Sequence, residues 1–429
     1  MKFYIYTLGC KVNTYESSVM RESLLAANYI ETDNKQDADI YIINTCTVTN
    51  TSDNKSFKMI RQAMRENPDA IIIVTGCMSQ IRYQELANLK GVAIILGNSG
   101  KSKVVSYLEC YLKDHQQIVA VEDLNKCDFE PMQLSNFKQT RAFVKIQDGC
   151  ENFCSYCIIP YSRGKVRSKE PRIVIDEIKG LVKQGHKEVV LTGIHTGHYG
   201  SEFNNFNFAD LLKEILRIDG LERLRISSIE MNEITDHVIE LFKNNKILVD
   251  HLHIPLQSGS NSILKAMNRK YMKEDFILKI EKIRMIRPDI SLTTDVIVGF
   301  PGETEELFRE TLETIKKINF TKIHVFPYSR RSGTVADTLP DQIDDATKKI
   351  RVQELLALSK ELEIKYMESF IGKTMTFIPE VSKKGYLIGH TGNYLLLKAF
   401  GSDDLLNCDV EVVLTKVDYP YIISKINVK

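Results

Sequence analysis

Short apolar runs alternate with amphipathic stretches through most of this chain, and that alternation restricts it to a parallel α/β architecture. In residues 1–113 the runs KFYIYTL (2–8), ADIYIINT (38–45), AIIIVTG (70–76) and VAIILG (92–97) read as buried strands. Helical patterns near 14–28, 53–66, 79–89 and 100–112 separate them. Strands buried on both faces need helical, right-handed crossovers, so the expected product is a parallel sheet covered by helices. A second alternation begins at Arg141. Its strands are AFVKIQ (142–147), EVVLTG (188–193), RLRISS (223–228), HLHIPL (251–256), SLTTDVIVG (291–299) and KIHVFPY (322–328). Helices are expected near 171–185, 208–219, 234–245, 260–287, 303–318 and 341–368. Six strand–helix units are too few to close an eight-stranded barrel and predict a partial, open (β/α)6 TIM-like barrel.

The pattern changes again near Phe370. TMTFIPEVS, YLIGHT, YLLLKAF, DVEVVLTKV and YIISKINV are short strands broken by Lys-Gly, Gly-Asn and Gly-Ser-Asp turns, the pattern of a small OB-like β-barrel. The expected organisation is a first domain over 1–113, a linker over 114–140, a barrel domain over 141–368 and a terminal barrel over 369–429. No stretch approaches the ~20 apolar residues of a membrane span, and the N-terminus lacks the apolar core of a signal peptide. The expected location is the cytoplasm, with no membrane partner.

Lys+Arg (57) and Asp+Glu (56) nearly cancel, so no global field draws the chain to nucleic acid. A local excess exists. Between residues 138 and 172, Lys138, Arg141, Lys145, Arg163, Lys165, Arg167, Lys169 and Arg172 face only Asp148, Glu151 and Glu170. A solvated basic face and a phosphate track are both open readings.

Nine cysteines in a chain read as cytosolic point to metal binding or catalysis rather than to disulfides. Cys150, Cys154 and Cys157 form a C-x3-C-x2-C triplet just after the first barrel strand. Three thiolates bunched in one loop hold three corners of a 4Fe–4S cube and leave the fourth iron open. An open iron suits chelation and one-electron cleavage of S-adenosylmethionine, chemistry that the cofactor carries and the protein positions. Zinc prefers a closed set of four ligands, and no fourth cysteine or suitably spaced histidine follows. Three further cysteines, Cys10, Cys46 and Cys77, each follow a predicted strand of the first domain. The carboxyl ends of parallel strands share one edge, so the three thiols are expected to converge there and hold a second open cluster. Cys110, Cys127 and Cys408 read as free thiols.

TLGCKVN (7–13), NTCTVT (44–49), TGCMSQ (75–80), the triplet with IIPYSRGKVRS (158–168), and GFPGET (299–304) resemble the methylthiotransferases of tRNA and ribosomal protein. The resemblance covers essentially the whole chain, its tail being similar to the TRAM domain of that family. Lys11, Val12 and LTGIHTGHYG (191–200) look most like the branch that converts N6-threonylcarbamoyladenosine, beside the tRNA anticodon, into its 2-methylthio derivative. The branches acting on isopentenyladenosine or on a ribosomal-protein aspartate are the alternatives. An iron–sulfur RNA-binding sensor is the reading from another class, and it would not need an open-iron triplet.

The resemblance implies two 4Fe–4S clusters, one on Cys10, Cys46 and Cys77 and one on Cys150, Cys154 and Cys157, together with S-adenosylmethionine and a sulfur source. It places Tyr156 near the adenine, Gly193 and His195 near the methionine amino group, with the RNA base as the alternative contact of His195, and Arg269 on the carboxylate. Ser228, Glu230 and Gln257 follow the third and fourth strands, with Glu230 and Gln257 toward the ribose. Asp295, Val296 and Gly299 would read adenine from the fifth strand. Lys138, Arg141, Arg163, Lys165 and Arg167 are the expected phosphate contacts to a tRNA anticodon stem-loop. A low-potential electron donor of flavodoxin or ferredoxin type is the implied second partner.

Overall fold

The computed structural model describes residues 1–427. Its first unit is a six-stranded sheet in the order Ile30–Glu31, Lys2–Thr7, Ile40–Thr45, Ile71–Gly76, Val92–Leu96, Ile118–Ala120. All its pairings are parallel. Ile40–Thr45 and Ile71–Gly76 are buried along their whole length, which is why they read as unbroken apolar runs. Helices Lys11–Ala26 (α1), Asn50–Glu66, Cys77–Ala87 and Val104–Asp114 flank the sheet. One face packs Phe3, Met20, Ile42 and Ile73, the other Tyr41, Ile43, Ile60 and Val74. The edge strands Ile30–Glu31 and Ile118–Ala120 escaped the sequence reading because they are short and partly exposed.

The stretch 114–140, expected to be a linker, carries that last strand and is anchored by its side chains. Met132, Leu134 and Phe137 are buried in the largest core beside Ala142 and Val144. Periodicity is weak there because the chain is irregular, not because it is free.

The second unit holds two three-stranded parallel sheets. One joins Arg141–Lys145, Glu188–Thr192 and Arg223–Ile226; the other joins His251–His253, Ser291–Val298 and Lys322–Pro327. Isolated bridges Leu224↔Leu248 and Ser228↔His253 connect them, so six strands follow one another in chain order. The single helix expected over 260–287 is instead two, Asn261–Ala266 and Lys273–Ile286. Asn268 at φ 59° breaks the first, and Asp275 caps the second by accepting from the Met272 N–H at 3.1 Å. Arg269, expected within a helix, therefore sits in the loop between them.

The third unit is a closed five-stranded barrel in the order Thr374–Lys383, Tyr386–Thr391, Leu396–Phe400, Tyr421–Ile426, Val410–Asp418. Leu387, Leu397, Ala399, Val412 and Leu414 alternate inward to fill it. The fifth predicted strand ran to residue 428, which lies outside the described residues. Arg141 ties this barrel to the second unit, donating to the Tyr394 hydroxyl at 2.6 Å and to Glu380 at 3.2 Å. Arg225 adds a bond to the Gly392 carbonyl at 3.1 Å.

Helix α1 joins the first two units. Tyr15 and Val19 on it belong to the core of the second unit. The Tyr15 hydroxyl donates to Glu177 Oε1 at 2.8 Å and accepts from Lys169 Nζ at 2.9 Å, all fully buried. Tyr15→Phe leaves both charged partners one bond short, at a cost of about 1–3 kcal/mol. Urea unfolding of the variant should show a lower midpoint with an unchanged slope.

Candidate metal centres

Cys10, Cys46 and Cys77 follow three adjacent strands whose ends are in register, with Thr7 opposite Asn44 and Thr45 opposite Gly76. Cys10 caps α1, and Cys77 opens its own helix. The thiols thus lie along one sheet edge, as their spacing predicts. Two glycines make the approach possible. A Cβ on Gly9 would stand 3.1 Å from Cys46 Sγ, and one on Gly76, at φ 101°, would stand 2.4 Å from the Thr45 carbonyl oxygen.

Asn13 on α1 braces the edge. Its side-chain amide donates to the Leu8 carbonyl at 2.7 Å and to the Thr45 carbonyl at 3.0 Å, fixing the approaches to Cys10 and Cys46. Its oxygen accepts from Arg163 Nη2 at 2.8 Å, and Arg163 Nε–H donates to Cys77 Sγ at 3.2 Å.

The triplet Cys150, Cys154, Cys157 occupies a loop between Gln147–Asp148 and a short helix, Ile159–Arg163. Gly149, at φ 79°, lets that loop start: an added Cβ would stand 1.8 Å from the Lys165 carbonyl oxygen. The Cys150 N–H donates to the Gly164 carbonyl at 3.0 Å, and the Cys157 N–H to the Cys154 carbonyl at 2.9 Å. Burial pushes the Cys157 thiol up to about 12, so a bound metal, not solvent, is what would hold it as thiolate at neutral pH.

Two basic side chains reach this loop. His195 Nδ1 lies 3.8 Å from Cys150 Sγ, while its Nε2 pairs with Glu233. Burial pushes the imidazole down, but the Cys150 and Glu233 contacts outweigh it and bring it to about 10. The ring stacks on His198 with centroids 4.4 Å apart. Arg269 Nη1 lies 3.4 Å from Cys154 Sγ, and its Nη2 pairs closely with Glu230.

The remaining expected cofactor residues gather on the same side. Tyr156 packs edge-on to Phe300 with centroids 6.5 Å apart. Gly193 abuts Gln147, whose side-chain oxygen accepts from the His195 N–H at 2.7 Å. Ser228 bridges to His253, and Gln257, at φ 65°, donates its N–H to the Asp295 carbonyl at 2.8 Å. The Asp295 carboxylate faces His253 Nε2 at 3.3 Å. Val296 turns its side chain into the core, leaving only backbone to face a ligand. Gly299 stands at φ 71°.

The basic patch divides. Lys145, Arg163, Arg167 and Lys169 are buried, so Arg163 and Arg167 cannot be the phosphate contacts they were expected to be. Arg163 Nη1 donates to Glu16 Oε1 at 2.6 Å and lies 3.2 Å from Asp148 Oδ2. Arg167 donates to the carbonyls of Leu124 at 2.6 Å and Arg163 at 2.8 Å. Lys138 is exposed and paired with Glu31 at 3.0 Å, Arg141 is committed to the third unit, and Lys165 is exposed.

Sequence reasoning missed Glu16, Asn13 and Asp148. Glu16 is fully buried, holding Lys101 closely and Lys145 at 2.7 Å. A signal existed: Glu16 lies four residues from Val12 and from Met20, on the apolar stripe of its helix, where a charge needs a partner.

The donor chemistry fits two iron–sulfur clusters. Each triplet offers three thiols, and each set has a cationic donor within reach of a sulfur. The chain matches the Uncharacterized protein family UPF0004 over residues 2–97 and the Radical SAM superfamily over residues 144–315. Its fold is similar to that of TsrM, a radical S-adenosylmethionine methyltransferase from Kitasatospora setae solved with cobalamin and a [4Fe–4S] cluster. The TM-score is 0.57 at 14% identity, over 78% of this chain and 76% of that one. Fold and cysteine sites together define a radical S-adenosylmethionine enzyme.

The relatives narrow the class. The chain is 45% identical, over 97% of its length and 94% of the other's, to the threonylcarbamoyladenosine tRNA methylthiotransferase MtaB of Bacillus subtilis. It is 37% identical to the Thermotoga maritima protein of the same name, over 96% and 98% of the two chains. The protein belongs to the MtaB-type tRNA methylthiotransferase family. Anaerobic reconstitution should load about eight irons per chain, and about four once Cys150, Cys154 and Cys157 are changed to Ala. A wild-type plateau near four would leave no second cluster.

Proposed function

We propose that the protein converts N6-threonylcarbamoyladenosine at anticodon-loop position 37 of tRNA into 2-methylthio-N6-threonylcarbamoyladenosine. The observation that carries this reading is the pair of three-cysteine sites meeting at Arg163, in a chain whose 45% identical relative from Bacillus subtilis is named for that activity, whereas relatives named for the dimethylallyladenosine substrate are 35% identical. In this reading residues 1–113 form the methylthiotransferase domain on Cys10, Cys46 and Cys77, and 114–140 connects it to the core. Residues 141–368 form a partial (β/α)6 radical barrel on Cys150, Cys154 and Cys157. Residues 369–429 are an OB-like TRAM domain. No helix among the described residues is long and apolar enough to cross a membrane. The expected site of action is the cytoplasm.

When bound, the clusters and S-adenosylmethionine supply a carbon radical and a methylated sulfur, which carbon 2 of adenine, inert to polar nucleophiles, requires. The chain's own residues do the positioning. Arg269 and Glu230, paired across the triplet loop, offer a cation for a carboxylate and an anion for hydroxyls. His195 stands between Cys150 and Glu233, its Nδ1 turned toward the Cys150 sulfur at 3.8 Å and its Nε2 paired with the Glu233 carboxylate. Tyr156, Gly193, Ser228, Gln257, Asp295 and Val296 complete the proposed S-adenosylmethionine pocket. An anticodon loop presents an unstacked base, and exposed Lys138 and Lys165, with half-buried Arg141, are the remaining candidates for its phosphates. A low-potential flavodoxin or ferredoxin is the proposed electron source.

The test is nucleoside mass spectrometry on tRNA from cells lacking the protein. The 2-methylthio derivative should vanish while N6-threonylcarbamoyladenosine accumulates, and wild-type plasmid should restore it. Persistence of the methylthiolated nucleoside sinks this assignment. A plasmid carrying Arg269→Gln should restore less than a tenth of it, the loss of a charge-assisted bond worth about 1.5–3 kcal/mol.

A further inference from the structure

Arg163 is one of the largest fully buried side chains in the protein, and all its nitrogens have partners. Nε–H points at Cys77 Sγ, 3.2 Å away. Nη2–H goes to Asn13, which braces the Cys10 and Cys46 loops. Nη1–H goes to Glu16 and to Asp148, two residues before Cys150. The next residue, Gly164, accepts the Cys150 N–H. Residues 163 and 164 therefore touch both cysteine sites.

The charges around Arg163 do not balance. Four buried cations, Arg163, Lys101, Lys145 and Arg167, lie about two carboxylates, Glu16 and Asp148. Glu130 stands off, bound to Ser102 at 2.7 Å, and counting it still leaves the cations in excess. A buried surplus of positive charge calls for an anion. The arginine at its centre aims a donor at a thiol, so that anion is the thiolate set. A hydrogen bond and a cation at a ligand sulfur both stabilise the reduced, more negative state of a cluster.

We propose that Arg163 is a positioning residue that joins the two centres: it sets the reduction potential of the cluster on Cys10, Cys46 and Cys77, and Asp148 on the radical side modulates that potential through it. The inference rests on the reading that these cysteines hold a cluster. It goes further, by assigning the buried arginine a task beyond holding the units together.

The experiment uses full-length, reconstituted protein with Cys150, Cys154 and Cys157 changed to Ala, so that one cluster remains. Potentials are read by EPR-monitored titration. Arg163→Met should shift the midpoint negative, because a donor and a cation are lost. Asp148→Asn should shift it positive, because removing the carboxylate leaves Arg163 less neutralised. Arg163→Lys should fall between wild type and Met. In otherwise wild-type enzyme, Arg163→Met should yield about tenfold less methylthiolated product per 5′-deoxyadenosine formed. Unchanged potentials and g-values in both Arg163→Met and Asp148→Asn, with about four irons retained, overturn the proposal. If Arg163→Met does not take up iron, the sign of the Asp148→Asn shift decides: a negative or absent shift overturns it. Failure of the parent triple variant to bind any iron instead refutes the two-cluster reading.

Discussion

The fold depends on one buried carboxylate. Glu16, on the first helix, is gripped by Lys101 from its own unit and by Lys145 and Arg163 from the next. Removing a carboxylate and three cations from water costs several kcal/mol per ion, offset only where geometry and hydrogen bonds are complete. Completion here requires that the first unit sit at one angle on the second. Loosening that contact would strand charges on both sides, so the arrangement is all-or-none. The pair of cysteine loops inherits that rigidity, since Asn13 and Asp148 belong to the same hydrogen-bonded set.

How much of this was legible depends on whether a signal is local. The parallel strands read correctly because Ile40–Thr45 and Ile71–Gly76 are apolar along their length, and the terminal barrel because its strands alternate between sharp turns. The positions of the cysteines were legible because each follows such a strand or sits in one short loop. Charge did not. Arg163 and Glu16 are 147 residues apart, and nothing in either neighbourhood says that they meet. Counting basic residues from 138 to 172 treated buried and exposed charges alike, so an interior ion-pair network read as an RNA track. The break near Asn268 was missed for a different reason: no Gly or Pro marks it, and an asparagine adopting φ 59° interrupts the pattern instead.

The two cysteine sites are built on different principles. The triplet loop is supported within one unit by Gly149, His195 and Arg269, so its geometry follows from local folding of the second unit. The other site takes one thiol from each of three strand ends, and its cationic donor arrives from the second unit. Its electrostatics are therefore incomplete until the units dock. Docking and electronic tuning of the first unit's site are one event.

That division also changes what the near-zero net charge means. The chain carries a formal charge of +1, yet part of its positive charge is sealed inside and turned toward sulfur. A cation sealed from solvent releases no counterions and contributes nothing to the salt dependence of RNA binding. With Arg163 and Arg167 withdrawn, the phosphate contacts expected from the sequence reduce to exposed Lys138 and Lys165 and half-buried Arg141. Of the residues that look most like an RNA track in sequence, Arg163 thus turns to a cysteine sulfur and the others to an interior network of carboxylates, carbonyls and a tyrosine, because they are buried.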